Sequence, residues 1–187
     1  MGRSIGILLL LCIAVFSPTQ SEAVSLELLG TVGLPADVPG EERHNSVGRI
    51  ATVIFGQAGT VSLGAGLGFD EFDNTHDSGS TSFNTLFFDI RVPVVHTKRF
   101  GLFGVIAPEY AVRKISFSNQ VQASNPLIPS SESDGNLGLA LGTGITFTLA
   151  GDWLSFVSTQ KVHFIPTEVD GSAFFVVSFG IALSLSN

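Results

Sequence analysis

Residues 173–186 read Ala173-Phe174-Phe175-Val176-Val177-Ser178-Phe179-Gly180-Ile181-Ala182-Leu183-Ser184-Leu185-Ser186. One parity carries Phe175, Val177, Phe179, Ile181, Leu183 and Leu185, while from Ser178 onward the other carries serine, glycine and alanine. Successive side chains of a pleated strand point to opposite sides, so period 2 over this length predicts a β-strand with two unlike faces. Residues 136–150 repeat the pattern. Leu137, Leu139, Leu141, Ile145, Phe147 and Leu149, interrupted by Thr143, oppose Gly138, Ala140, Gly142, Gly144, Thr146 and Thr148. Val61, Leu63, Ala65, Leu67 and Phe69 likewise oppose Ser62, Gly64, Gly66 and Gly68.

Working outward, the same alternation divides the chain into about eight strands. They fall near Val24–Leu34, Val47–Gln57, Thr60–Glu71, Ser82–Val95, Arg99–Ser118, Gly135–Ala150, Trp153–Ile165 and Ser172–Leu185. Long connections at Pro35–Ser46, Phe72–Thr81 and Asn119–Asp134 alternate with tight ones at Gln57-Ala58-Gly59, His96-Thr97-Lys98 and Gly151-Asp152, and a medium loop spans Pro166–Gly171. Most strands reach the roughly 9–11 residues that cross a bilayer at a tilt. The expected fold is therefore all-β: an up-and-down antiparallel transmembrane β-barrel with short periplasmic turns, long outer loops and both termini periplasmic.

The faces argue for lipid outside. A soluble barrel would put charged residues on its exterior, but the second face here is glycine, alanine, serine and threonine. Such a face suits a narrow lumen and leaves the large apolar face for hydrocarbon, which tolerates no open strand edge. Charged residues are 13% of the chain, against about 25% in soluble domains. Beyond the amino-terminal segment no second long apolar run exists.

That segment has an export pattern: Met1-Gly2-Arg3, an apolar run from Ile5 to Phe16, and the small-x-small sequence Ser21-Glu22-Ala23. Its apolar run falls short of the roughly 20 residues of a spanning helix. Residues 1–23 are expected to be a signal peptide cleaved after Ala23, leaving a barrel domain over 24–187. The single cysteine, Cys12, leaves with it, so disulfides and thiolate metal sites are excluded from the mature chain. Net charge is −7; it is unchanged by loss of Arg3 and Glu22 together and is unsuited to nucleic acid.

Strand parity assigns the mid-strand charges to the lumen. Asp89 and Arg91 oppose Phe88, Ile90 and Val92; Glu109 and Arg113 share a face with Phe103, Val105 and Ala107; Lys161 and His163 oppose Phe156, Val162 and Phe164; Glu27 opposes Leu26 and Leu28. Arg49 joins this expected lumenal charge network on the less apolar parity of a weakly patterned strand. Buried charges require partners, and an eight-stranded barrel is just wide enough for side chains to fill. A salt-bridged, plugged lumen is expected. Aromatics near the strand ends, Phe100 and Trp153 at the short turns and Phe69, Phe164 and Phe175 toward the long loops, form an expected interfacial girdle.

With these features the chain from Val24 to Asn187 resembles the small eight-stranded outer-membrane barrels, which include the OmpA-type transmembrane domain, the opacity proteins and the attachment/invasion barrels. The resemblance rests on export signal, strand number, loop alternation and dyad pattern. It implies a bacterial outer-membrane location, contact with outer-membrane lipids, and outer loops able to meet a surface ligand or host molecule.

Candidate chemistry is sparse, and no cofactor is implied. His44-Asn45-Ser46 resembles the His-x-Ser spacing of an outer-membrane lipid A deacylase, but it falls in the first outer loop. Asp70, Glu71, Asp73 and Asp77, with Asn74 and His76, offer oxygen ligands for Ca²⁺ without the order of a dedicated calcium loop. The outer loops hold further acids, Asp37, Glu41, Glu42, Glu132, Asp134, Glu168 and Asp170. The expected function is structural or surface-interacting: loop display, adhesion or membrane integrity, without enzymatic activity. The alternatives are a narrow channel or carrier for small apolar molecules, with lumenal space left by the glycine-rich third and sixth strands, and a lipid-modifying enzyme.

Overall fold

The computed structural model describes residues 24–35, 43–58, 60–74, 79–125, 127–151, 153–166 and 172–185. The predicted signal peptide, Asp77 and the acids Asp37, Glu41, Glu42, Glu168 and Asp170 lie outside them. Eight strands form a closed barrel in sequence order: β1 (Val24–Pro35), β2 (Arg43–Ala58), β3 (Val61–Asn74), β4 (Gly79–His96), β5 (Phe100–Phe117), β6 (Ser131–Ala150), β7 (Leu154–Ile165) and β8 (Ser172–Leu185). Every neighbour is antiparallel, and β8 closes onto β1 from Val24↔Leu185 to Pro35↔Phe174. One short helix, α1 (Asn119–Ser124), interrupts the β5–β6 connection; the Ser118 hydroxyl caps it by accepting from the Val121 amide.

Strands exceed their expected lengths at the long-loop end. β2 begins at Arg43, β3 runs to Asn74, β4 begins at Gly79 and β6 at Ser131. Apart from the buried Phe72, the added residues are polar or glycine, yet their backbones still pair, as Asp73↔Ser80 and Ile115↔Glu132 do. A polar side chain ends the lipid-facing pattern without ending the ladder, because ladder bonds are made by the main chain. At the opposite end Gly151, with φ 52°, makes the tight β6–β7 turn, a left-handed conformation that glycine adopts without a Cβ penalty.

The wall has the expected polarity. Leu67, Leu137, Leu141, Phe147, Phe179 and Ile181 are exposed on the outside. Side chains of the other parity fill the lumen in two apolar clusters. One joins Leu29, Ile50, Phe87, Phe103, Val105 and Val157; the other joins Phe72, Phe83, Ile165, Phe174 and Val176 nearer the long loops. The glycine-rich faces of β3 and β6 leave no gap there. The Phe87 ring lies where a Cβ on Gly66 would stand, and the Phe103 ring where one on Gly144 would stand. Small residues on one strand are thus filled by aromatics from a neighbour.

The β4–β5 ladder is irregular at two places: its register shifts between Pro93 and Val95, and farther along it skips pairs without a shift. Pairing passes from Phe87↔Glu109 to Ile90↔Ile106, omitting the pairs around Pro108. Proline has no N–H to give a neighbouring strand.

Candidate functional site in the barrel lumen

Glu27 of β1, Asp89 and Arg91 of β4, and Lys161 of β7 all face inward because each shares the inward parity of its strand. They form one chain of ion pairs. Arg91 donates through Nη1 and Nη2 to the two Glu27 oxygens at 2.6 and 2.7 Å. Its Nη2 also reaches Asp89 Oδ2 at 3.0 Å, and Lys161 Nζ donates to Asp89 Oδ1 at 2.7 Å. Aromatic faces complete the cage: the Arg91 guanidinium lies 4.9 Å from the Phe103 ring centroid, and Lys161 Nζ lies 4.5 Å from that of Phe87. All four charges are buried. With two carboxylates against two cations the group is neutral, the condition under which buried charge is tolerable.

A second pair lies beside the upper aromatic cluster. His163 Nδ1 is 2.9 Å from Glu109 Oε2, and the imidazole stacks on Phe174 at 4.8 Å with an interplanar angle of 1°. The opposite nitrogen, Nε2, is buried without a hydrogen-bond partner among the described residues. Phe174 shares the parity of Ser178, so its inward direction follows from the strand period; the apolar run Phe174–Val177 conceals it.

Two expected members of the lumenal network, Arg49 and Arg113, lie elsewhere. Arg49 is not lumenal: Ile50 and Thr52 take the inward parity of β2, and the exposed Arg49 points out of the wall beside the Phe69 ring, 5.6 Å from its centroid. Arg113 belongs to no central network. Half-buried near the outer rim, it pairs with Asp134 at 3.0 Å, and Asn136 steadies the same carboxylate; Asp134 and Glu132 lie on β6 and not in a loop. The β3 acids Asp70, Glu71 and Asp73 part to opposite sides of the wall, and Asp77 lies outside the described residues. Asp70 turns inward and accepts from Thr31 Oγ1 at 2.6 Å, whereas Glu71 and Asp73 are exposed. The pleat sends neighbouring residues to opposite faces, and no group of three metal-ligating side chains occurs among the described residues.

His44, Asn45 and Ser46 also lie on β2, not in a loop. Asn45 is exposed, and Ser46 Oγ is buried without a hydrogen-bond partner among the described residues. The girdle aromatics Phe100, Trp153 and Phe164 are exposed as expected.

Solved structures match this architecture closely in shape and distantly in sequence. Neisserial surface protein A superposes with a TM-score of 0.63 at 7% identity, over 87% of this chain and 96% of that one. OprG of Pseudomonas aeruginosa gives 0.61 at 12% identity, over 90% and 98%. The chain has the fold of the small eight-stranded outer-membrane barrels. Ail of Yersinia pestis, solved with the heparin analogue sucrose octasulfate, gives 0.50 at 13% identity, over 87% and 97%. No protein-family model matches the sequence, and comparison with curated proteins finds no significant relative.

Proposed function

We propose that the protein resides in the outer membrane as a closed, plugged barrel with a structural and surface-directed role: holding the membrane and displaying its outer end for adhesion or another interaction. The observation that carries the reading is the neutral ion chain Glu27–Arg91–Asp89–Lys161, which crosses the lumen from β1 through β4 to β7. With Phe87 and Phe103 packed against it, this chain occupies the section through which solutes would have to pass. In planar bilayers the purified protein is expected to give no steady open channel. A large, sustained conductance would overturn the plugged reading.

Any ligand at the outer end would meet exposed Glu71, Asp73 and Glu132. That surface suits a cationic or cation-bridged partner, unlike the sulfated analogue bound by Ail. The carrier alternative draws support from one feature, the interrupted ladder around Pro108, which could admit a small apolar molecule sideways through the wall. Residues 1–23 are proposed to direct export and to be removed. The mass of the protein from outer-membrane fractions should then correspond to a chain beginning at Val24.

A further inference from the structure

The outer wall is not uniformly convex. A concavity of about 900 Å³ crosses β1 to β5 on the lipid side, with Leu28, Ala51, Leu67 and Leu86 in its apolar floor and Arg49 and Asn84 in its upper part. Gly30 creates much of the dent. It takes the outward parity of β1, and a Cβ there would meet nothing closer than the Phe179 carbonyl oxygen at 4.0 Å. Packing therefore does not require glycine at this position.

Arg49 sets the chemistry. Among the described residues it has no carboxylate partner, and its guanidinium lies against Phe69. Depth follows from the register. Arg49 aligns with Phe69 and, through it, with Asn84 and Val112. Two residues farther toward the long loops the wall turns polar on β3 to β5, at Glu71, Ser82 and Lys114, while Val32 and Val47 carry the apolar surface one step higher on β1 and β2. Counted from the short turn, Arg49 lies nine residues above Ala58. That is about 22 Å for tilted strands, near the outer edge of an apolar band about 25 Å tall. Arginine on a lipid-facing wall is costly at the midplane and inexpensive where it can reach a headgroup. Tyr110, also lining the concavity, is the interfacial type of aromatic.

We propose that this concavity binds a phosphorylated lipid of the outer leaflet, its phosphate on the Arg49 guanidinium and its acyl chains over Gly30, Ala51 and Leu67. The unpaired cation beside an apolar trough is complementary to an anionic headgroup above acyl chains. Guanidinium matches phosphate in a forked, bidentate geometry. The site rests on the membrane location of the barrel and not on the plugged lumen.

The test uses the mature barrel in neutral detergent, titrated with diphosphoryl lipid A and followed by native mass spectrometry. Diacylglycerol serves as the phosphate-free comparison. Arg49→Gln should weaken lipid A binding about tenfold, the loss of one charge-assisted contact. Gly30→Leu, which fills the dent and leaves the charge, should weaken it comparably. Both positions lie outside the lumen, so the boiling-dependent gel shift of a closed barrel should persist in each variant. Loss of that shift in the wild type would instead count against the membrane-barrel reading itself. Unchanged lipid A binding in both folded variants, or equal retention of diacylglycerol, would overturn the phosphate site.

Discussion

Arg91 grips Glu27 through two parallel hydrogen bonds of 2.6 and 2.7 Å, joining β4 to β1 across the lumen although 64 residues separate them in the chain. The same guanidinium holds Asp89, and Asp89 holds Lys161. Strands related only through the closed ladder are thereby tied a second time through the middle. Arg91 is thus the hub of the lumen, with two carboxylates depending on it.

Arg91→Ala should consequently destabilise the barrel by about 3–5 kcal/mol, the cost of leaving a buried charge without its partner. Urea unfolding in detergent, followed by the heat-dependent gel shift, would measure it. The double change Glu27→Gln with Arg91→Met should recover part of the loss, since it removes both charges of the fork. Equal stability of wild type and Arg91→Ala would mean that water enters the lumen and solvates the acids.

Filling of the glycine faces carries a second prediction. Phe103 occupies the space over Gly144, and Phe87 the space over Gly66. Gly144→Val should push Phe103 out of place and cost about 1–3 kcal/mol, as overpacking does. Phe103→Ala should cost about 3–5 kcal/mol by leaving a cavity; it would also remove the ring beneath Arg91 and is the variant in which a small conductance should first appear. The same unfolding assay and planar-bilayer recordings check both.

Much of this arrangement was legible in the sequence because a pleated strand has one period and a closed wall has two sides. Parity alone places Glu27, Asp89, Arg91, Glu109, Lys161 and His163 inside. It fails at Arg49 because the two parities of β2 are about equally apolar, leaving the inward side to be decided by the neighbouring strands. The Asp70–Asp73 segment misleads in a different way. A run of acids resembles a loop, yet main-chain pairing continues through it and divides the acids between lumen and exterior. Partner choice is not written in one strand: Phe174 stacks on His163 from the neighbouring β8 strand, and Asp134 meets Arg113 across β5 and β6.

Pro108 offers a local test of the wall. Replacing it with valine would supply an N–H in the stretch where the β4–β5 ladder skips pairs. One added hydrogen bond is worth about 0.5–1.5 kcal/mol. Hydrogen exchange of amides near Phe88 and Ile106 should slow in Pro108→Val. If the wall at this point admits apolar solutes, their uptake into cells carrying the variant should fall, whereas a purely structural barrel should show slower exchange and unchanged uptake.

Trp153 tests the orientation of the two faces. It is the single tryptophan of the chain and lies 54% exposed beside the short β6–β7 turn. In a lipid-embedded barrel that turn lies at the membrane–water boundary, where the indole can keep its ring among acyl chains and its N–H near headgroups. Emission of the protein in bilayers should then be blue-shifted from its value in urea. Lipids brominated near the headgroup should quench it more strongly than lipids brominated near the chain ends. Leu185, near the same end of the barrel on β8, is exposed as well, so Leu185→Trp in a Trp153→Phe background gives an independent probe at nearly the same depth. Quenching by aqueous iodide, with no effect of either brominated lipid on either probe, would place this end of the wall in water and remove the reason for its apolar exterior.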